Sequence, residues 1–354
     1  MRVLLLSATL SLVLCGAAQA SGTFIAMQTP NVTITKISSD GTYAVGGTYD
    51  PAAFRWTAST GLEEVLPELN IAMGINNSGT ISGALPEDGG SANGGRDLGA
   101  FLAVGGTATQ LTDPLQTNSN GYDIADDGTV VGLSFDDDFI GPVVAFVWTA
   151  AEGMTALPVN RPDNPSRANV ISADAQVIAG WNDQDDGFRT AVVWQNRVPI
   201  DIVDHDGLAV GEADGINADG SFVVGSFYTD IDGNSGAWRW SAQTGAVTLI
   251  PQMSSAFAVS LDGNTVVGNT GFFDFPPLAP MIWRKDVGTM LLTDYLAEQN
   301  ITVPDGWDLT GALDAMSGDA KLLGGWATGP TGPQSYIIRI DRPDPIFANG
   351  FDPN

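Results

Sequence analysis

The stretch Ile216-Asn-Ala-Asp-Gly-Ser-Phe-Val-Val-Gly-Ser226 decides the fold, because similar stretches recur along most of the chain. It continues through an acidic loop to Ala237-Trp-Arg-Trp240 and ends with Thr244-Gly-Ala-Val-Thr-Leu-Ile-Pro251. Asp-Gly tolerates the positive φ of a two-residue hairpin, and the β-branched run that follows favours a strand. The glycine ending that run indicates a point where a larger side chain would crowd a neighbour. The unit therefore predicts four short antiparallel strands, as in one propeller blade.

Seven copies of the unit align on the polar residue of the turn. These residues are Asp40, Ser78, Asp127, Asp174, Asp219, Asp262 and Asp319. In two copies an alanine, Ala175 or Ala320, replaces the turn glycine, so we expect those turns to use another geometry. The segment containing Tyr295, between the last two copies, is expected to form a helical turn.

The seventh copy lacks a fourth strand, whereas residues 23–27 form a strand pattern with no partner nearby in the sequence. The sequence thus predicts an all-β fold, a β-propeller of seven four-stranded blades. The N-terminal strand is expected to close it by completing the last blade, which removes two open sheet edges. An open solenoid, or a ring of six or eight blades, is the alternative.

The repeat also resembles a known family. The pattern aliphatic-Asn/Ser-x-Asp-Gly-x-x-Val-Gly, followed by Ala-Phe-x-Trp-Thr and Gly-x-x-x-Leu, is similar to the HAF repeats of bacterial extracellular proteins. The resemblance extends over essentially all of the chain after the N-terminal segment. It implies a secreted protein with β-propeller-like repeats, and the family has no uniform activity or catalytic residues to transfer.

The N-terminus is typical of a signal peptide. Arg2 precedes an apolar run over residues 3–14, and Ala18-Gln-Ala20 fits a cleavage site. We therefore divide the chain into a signal peptide (1–20), a propeller domain (21–341) and a C-terminal tail (342–354). The single cysteine lies inside the signal peptide, so the mature chain is expected to lack disulfides. A secreted or periplasmic protein without a transmembrane segment is predicted.

The charge balance restricts the partners. With 41 acidic against 14 basic residues, the formal net charge is −27, which argues against nucleic acid or an anionic membrane surface as a partner. The Asp-x-Asp-x-Asn spacing of Asp230, Asp232 and Asn234 places three oxygen ligands in one loop and predicts a calcium site. A solvated turn is the alternative for this loop, since the same residue types are good turn formers.

Catalysis finds little support in the residues. His205 is the only histidine, lies in a turn-like loop, and has no nucleophile motif beside it. Paired carboxylates, as in glycoside hydrolysis, are the remaining enzymatic option, but the acidic residues are too numerous to nominate a pair.

Most tryptophans belong to the repeat. Their recurrence at one repeat position indicates packing between blades, and the set is Trp56, Trp148, Trp194, Trp240 and Trp283. Trp181 and Trp326 lie elsewhere, directly after second-strand glycines, where they could line a face or the channel. We therefore expect these two aromatics to bind ligand.

The predicted function is an exported, non-enzymatic binding or structural interaction module for an unknown protein or glycan ligand. The alternatives are a secreted carbohydrate-active enzyme that uses paired carboxylates, and an inert surface or matrix component. The oligomeric state is open, with a monomer as the default.

Overall fold

The computed structural model of the protein describes residues 22–47, 52–66, 71–86, 98–136, 143–228, 235–271 and 278–341. These residues form seven four-stranded antiparallel sheets, which pack side by side as the blades of a β-propeller. The predicted fold class and blade number are confirmed. The calcium loop (Asp230, Asp232, Asn234), the signal peptide and the C-terminal tail lie outside the described residues.

The first three blades take their four strands in chain order. Blade 1 comprises β2 (Thr33–Ile37), β3 (Ala44–Gly47), β4 (Ala53–Thr57) and β5 (Gly61–Leu66). Blade 2 comprises β6 (Ile71–Ile75), β7 (Ile81–Pro86), β8 (Leu98–Val104) and β9 (Thr107–Gln110). Blade 3 comprises β10 (Asn118–Ile124), β11 (Val130–Phe135), β12 (Val144–Thr149) and β13 (Gly153–Ala156).

The remaining blades follow the same plan until the last. Blade 4 comprises β14 (Ser166–Ile171), β15 (Val177–Asp183), β16 (Arg189–Gln195) and β17 (Val198–Asp201). Blade 5 comprises β18 (Glu212–Ile216), β19 (Phe222–Tyr228), β20 (Ser235–Ser241) and β21 (Val247–Ile250). Blade 6 comprises β22 (Ser255–Val259), β23 (Thr265–Thr270), β24 (Ala279–Arg284) and β25 (Gly288–Leu291). Blade 7 comprises β26 (Asp308–Met316), β27 (Leu322–Gly329), β28 (Gly332–Ile340) and β1 (Gly22–Pro30).

The N-terminal strand closes the ring, as predicted. β1 pairs antiparallel with β28, with Phe24 opposite Ile338. The Phe24 ring stacks on Tyr336 at 5.3 Å between centroids and meets Trp307 edge-on at 5.1 Å. The predicted helical turn is α1 (Leu292–Glu298), which packs its buried Leu292, Tyr295 and Leu296 into the same core region. Both ends of the propeller domain are therefore fixed in one blade.

The repeated motif builds the turn between the first and second strands of each blade, which we call the inner turn. In blade 6 the Ser260 hydroxyl donates to Asp262 Oδ1 (2.6 Å) and accepts from the Thr265 amide (3.0 Å). Ser260 N also donates to Thr265 O at 2.9 Å, so the loop is longer than the two-residue hairpin that Asp-Gly predicted. In this turn only Gly263 has positive φ, and that detail of the prediction is wrong.

The two alanine turns keep the shared geometry, contrary to expectation. Ala175 and Ala320 have φ of 60° and 55°, close to the 69° of Gly263. Each donates its amide to the same carbonyl position, Ala175 N to Ser172 O and Ala320 N to Ser317 O, both at 2.9 Å. A left-handed alanine costs roughly 1–2 kcal/mol, and the Ser-x-Asp hydrogen bonds around it enforce the conformation.

The inner turns join all seven blades in a ring of hydrogen bonds at one end of the central channel. Each donor is a backbone amide or an asparagine side chain, and each acceptor lies in the next inner turn. The bonds are Asp40 N to Asn77 Oδ1, Asn77 N to Asp126 Oδ1, Asp126 N to Ala173 O, Ala173 N to Ala218 O, Asn217 Nδ2 to Leu261 O, Leu261 N to Gly318 O and Gly318 N to Ser39 O. All seven lengths are 2.8–2.9 Å. Most of these bonds use the backbone of the residue just before the aligned polar residue, and its type varies between blades, so the shared turn geometry holds the ring together.

Each innermost strand also carries a β-bulge, one residue that the second strand does not pair. The bulged residues are Thr35, Met73, Tyr122, Asn169, Asp214, Phe257 and Asp314. Just before the bulge, the first-strand carbonyl lies so close to the second-strand glycine that a Cβ would overlap it, for example Glu212 O at Gly225. The expected crowding at these glycines is confirmed, and the bulged residue that follows is left unpaired with the second strand.

Candidate functional site

A cavity of about 380 Å³ opens at the end of the channel opposite the inner turns. It is lined by residues of blades 4 to 7, and we call it the mouth. Its walls come from the starts of the innermost strands, the ends of the second strands and the start of one third strand. Three of the bulged residues, Asp214, Phe257 and Asp314, line it.

Two arginines and one glutamate form the blade 4 side of the mouth. Arg167 on β14 and Arg189 on β16 both donate to Glu212 Oε2, the former from Nη2 at 3.5 Å. Trp181 supports both guanidinium groups, with ring-centroid distances of 5.5 Å to Arg167 and 4.5 Å to Arg189. Arg167 is further held by Asn169 Oδ1 and by the ring of Tyr122. Both guanidinium groups are therefore fixed in place, and the buried Glu212 offsets one of their two positive charges.

Two carboxyl groups occupy the other walls. Burial raises the pKa of Asp214 well above its usual range, and the neighbouring Glu212 raises it further against the opposing hydrogen bond from Ser226 Oγ (2.8 Å). Burial also raises the pKa of Asp314 to about 7, with a hydrogen bond from Asn269 opposing the shift. Protein surrounds both groups, while the channel leaves part of each side chain accessible. The ionised form of Asp314 has less electrostatic stabilisation than that of Asp214, since no basic side chain lowers the pKa of Asp314.

Aromatic and neutral polar groups complete the mouth. Phe257 and Trp326 are partly buried and line the cavity, as do Ser226, Ser255 and Asn269. Apolar ring faces beside hydroxyl, amide and carboxyl groups are a common composition for a small-molecule site, and about 380 Å³ lies within the usual range of about 300–1,000 Å³.

Elsewhere in the channel, charged side chains of blades 1 and 3 form contacts that stabilise the fold. Lys36 Nζ on blade 1 lies 2.8 Å from Asp123 Oδ2 on blade 3. The same Asp123 oxygen accepts the Ile171 amide of blade 4 at 3.0 Å. Asp123 is buried, so this carboxylate links three blades and has its charge balanced by a lysine.

The two tryptophans predicted to bind ligand occupy different depths. Trp326 lines the mouth, whereas Trp181 is 5% exposed and lies behind the arginines that line it. Four of the five repeat tryptophans are buried between blades and Trp148 is partly buried, which confirms the packing interpretation. Trp194 Nε1, for example, donates to Pro158 O at 2.6 Å.

The single histidine lies in an exposed loop. His205 is exposed between Asp204 and Asp206, and within the described ranges these three form the one group of potential metal ligands whose donor atoms approach within 4.8 Å. Asp204 Oδ1 already accepts the Asp206 and Leu208 amides in a turn, as expected for a surface loop. Calcium binding by Asp230, Asp232 and Asn234 stays a prediction.

The bulged residues were missed in the sequence, although a signal for them exists. Each lies five positions before the aligned polar residue of its inner turn, as Asp214 does before Asp219 and Asp314 before Asp319. Repeat averaging hides this position because its residue type changes in nearly every blade. A search for the variable positions of the unit would have included it.

Comparison with known proteins supports the fold alone. No family model and no curated protein matches the chain by sequence. The WD40 repeats of RRP9 superpose with a TM-score of 0.53 at 12% identity, covering 91% of this chain and 99% of that one. The WD40 propeller domain of Doa1 gives 0.50 at 13% identity, covering 89% and 96%. A putative TolB from Agrobacterium tumefaciens gives 0.44 at 15% identity, covering 91% of each chain.

The two WD40 matches agree with the fold read from the strands. The chain is a β-propeller. Among the described residues, no helix has the length and apolar character needed to cross a membrane.

Proposed function

We propose that the protein is an exported, non-enzymatic binding module that holds its ligand in the mouth. One observation carries this proposal: the mouth collects charged, aromatic and polar side chains at backbone positions that recur in each blade but whose residue types do not. A residue type that recurs in most blades is explained by its role in the fold. Folding does not require the different residue types at equivalent bulges, which are Asp214, Phe257 and Asp314. The ligand is a glycan or a protein segment that reaches into the cavity.

The runner-up is a carbohydrate-active enzyme that uses Asp214 and Asp314. Their raised pKa values and shared cavity favour it, because a general acid needs a pKa near neutrality. Glycoside hydrolysis also needs an ionised partner carboxylate. Burial raises the pKa of Asp214, which disfavours its ionised form, and the Glu212 carboxylate is engaged by two arginines. The lack of a free carboxylate partner for Asp314 among the described residues of the mouth supports binding over catalysis.

Export and the HAF-repeat resemblance belong to the same proposal. The sevenfold repetition of strands supports a repeat origin, and the N-terminal 1–20 pattern supports export. Mass spectrometry of the protein recovered outside the bacterial cytoplasm should give a chain that begins at Ser21.

A glycan array tests the proposed site, with Trp326→Ala as the mouth variant. Phe188→Ala is the matched control, because Phe188 is a 56% exposed aromatic outside the cavity, in the connection between the second and third strands of blade 4. We expect wild type and the control to bind the same glycans and Trp326→Ala to lose them. Hydrolysis of any polysaccharide by wild type, abolished by Asp314→Asn, would instead support the enzyme.

A further inference from the structure

The carboxylate on the blade 4 side of the mouth has two basic partners, whereas no basic side chain contributes to the pKa of the carboxyl on the blade 7 side. On the blade 4 side, two arginines share the buried Glu212 carboxylate. On the blade 7 side, Asp314 receives a hydrogen bond from Asn269, and Tyr336 behind it is neutral. A buried carboxyl in such a place is poorly solvated when ionised, and a cation arriving with the ligand would supply the missing opposite charge.

The walls beside Asp314 suit a cation that is part of a larger organic molecule. Phe257 and Trp326 offer ring surfaces, which attract both apolar ring faces and ammonium groups. Ser255 and Asn269 offer hydroxyl and amide groups for hydrogen bonds. A bare metal ion would use the carboxyls and leave the aromatic surface without a partner, whereas a lysine side chain would leave the hydroxyl and amide groups unused.

We infer that the mouth binds an amino sugar, with its primary ammonium group at Asp314 and its apolar ring face against Phe257 and Trp326. This inference rests on the proposed function and specifies its ligand. The ring hydroxyls hydrogen-bond to Ser255 and to the polar side chains around it. Arg167 and Arg189 belong to the blade 4 wall, where Glu212 offsets one of their two positive charges, so the ammonium group is expected at the blade 7 wall instead.

Isothermal titration calorimetry at pH 6.5 with EDTA tests the inference without any variant. The probes are a glucosamine trimer and its fully N-acetylated counterpart, which differ in the charge and acylation of the nitrogen. We expect the free-amine trimer to bind at least about tenfold more tightly, because only it carries the ammonium group. Equal affinity of the two trimers would overturn the inference. If Trp326→Ala still abolished that equal binding, the mouth would remain the site and the proposed function would stand.

A matched pair of variants tests whether Asp314 is the carboxyl that binds the ammonium group. Asp314→Asn keeps the shape and the acceptor for Asn269, and Asp305→Asn removes an exposed carboxyl elsewhere. We expect a loss of about tenfold or more in glucosamine-trimer affinity for Asp314→Asn and no change for Asp305→Asn. Unchanged affinity in Asp314→Asn would contradict the inference.

A lysine-containing peptide and its Nε-acetyl counterpart form the competing arm. Binding of the free peptide without binding of the glucosamine trimer would overturn the amino sugar in favour of a protein ligand. If no probe bound wild type, the inference would fail, while the glycan array with Trp326→Ala would still decide the proposed function separately.

Discussion

The two ends of the central channel are built by the same strands and differ in almost everything else. At the inner turns the blades share an aspartate or serine and one backbone geometry, and the turns join in a closed ring of hydrogen bonds. At the mouth, equivalent bulges present aspartate, phenylalanine and aspartate in three successive blades. The requirements of a stable fold therefore account for the inner turns but do not explain the residue types at the mouth.

This difference separates what the repeat means from what the protein does. A residue that recurs in each blade, such as the turn aspartate, hydrogen-bonds within its own turn, as Asp219 Oδ1 does with the Ser221 amide at 3.0 Å. A residue found in one blade only, such as Arg189 or Phe257, lines the mouth. Variants that affect stability and variants that affect binding should accordingly fall into two separate groups.

The largest effect is expected from breaking the ring itself. Deleting residues 21–30 removes β1, uncovers the edge of β28 and takes Phe24 out of the core. The loss should approach or exceed the roughly 5–15 kcal/mol that stabilises a typical domain. Denaturant unfolding should show no cooperative transition of wild-type size. Deleting residues 342–354 is the control, and an unchanged midpoint after the N-terminal deletion would refute closure by β1.

Replacing Asp314 in the mouth with a neutral residue should stabilise the fold at neutral pH. Asp314 keeps its proton to about pH 7 in the folded protein, whereas an unfolded aspartate releases it near pH 3.8. Its contribution is therefore fully present below about pH 4 and is lost as the pH rises through 7. The free energy of unfolding of Asp314→Asn, relative to that of wild type, should therefore increase by on the order of 2–4 kcal/mol between pH 4 and pH 8.

Urea unfolding of both proteins at the two pH values measures this gain. The neighbouring ionisable and charged groups are retained in the variant, so their titration is common to both proteins: Tyr336 on β28, Asp214 and Glu212 on β18, Arg167 on β14 and Arg189 on β16. A stability difference that is the same at pH 4 and pH 8 would rule out a titrating Asp314. Asp305→Asn, an exposed carboxyl, is the reference for charge alone.

A smaller loss is expected at the inner turns. Asn217→Ala removes the bond to Leu261 O of blade 6 and leaves the Phe222 amide without its Oδ1 acceptor. The cost should be about 1–3 kcal/mol, since the side chain is buried. Gln243→Ala, an exposed amide in the same blade, should cost nothing measurable by thermal unfolding. Blade 3 has Ala125 at the equivalent position, so one such loss is tolerated.

The sequence predicts the scaffold well for the same reason that it hides the site. Seven imperfect copies of one unit average out local errors, and the missing strand of the last copy revealed the role of β1. The turn geometry was less accessible, because Ser260 and Asp262 close a longer loop than Asp-Gly alone suggests. Asp314 could not be recognised, because its raised pKa depends on burial that only the assembled blades create.

The most direct test compares one variant from each end of the channel for affinity and stability together. Calorimetric titration of the glucosamine trimer at pH 6.5, beside urea unfolding, is made on Asp314→Asn and Asn217→Ala. We expect Asp314→Asn to lose about tenfold or more in affinity without losing stability, and Asn217→Ala to lose stability while its folded fraction keeps wild-type affinity. If affinity instead fell with stability in both variants, or survived in Asp314→Asn, the separation of scaffold from site would be contradicted.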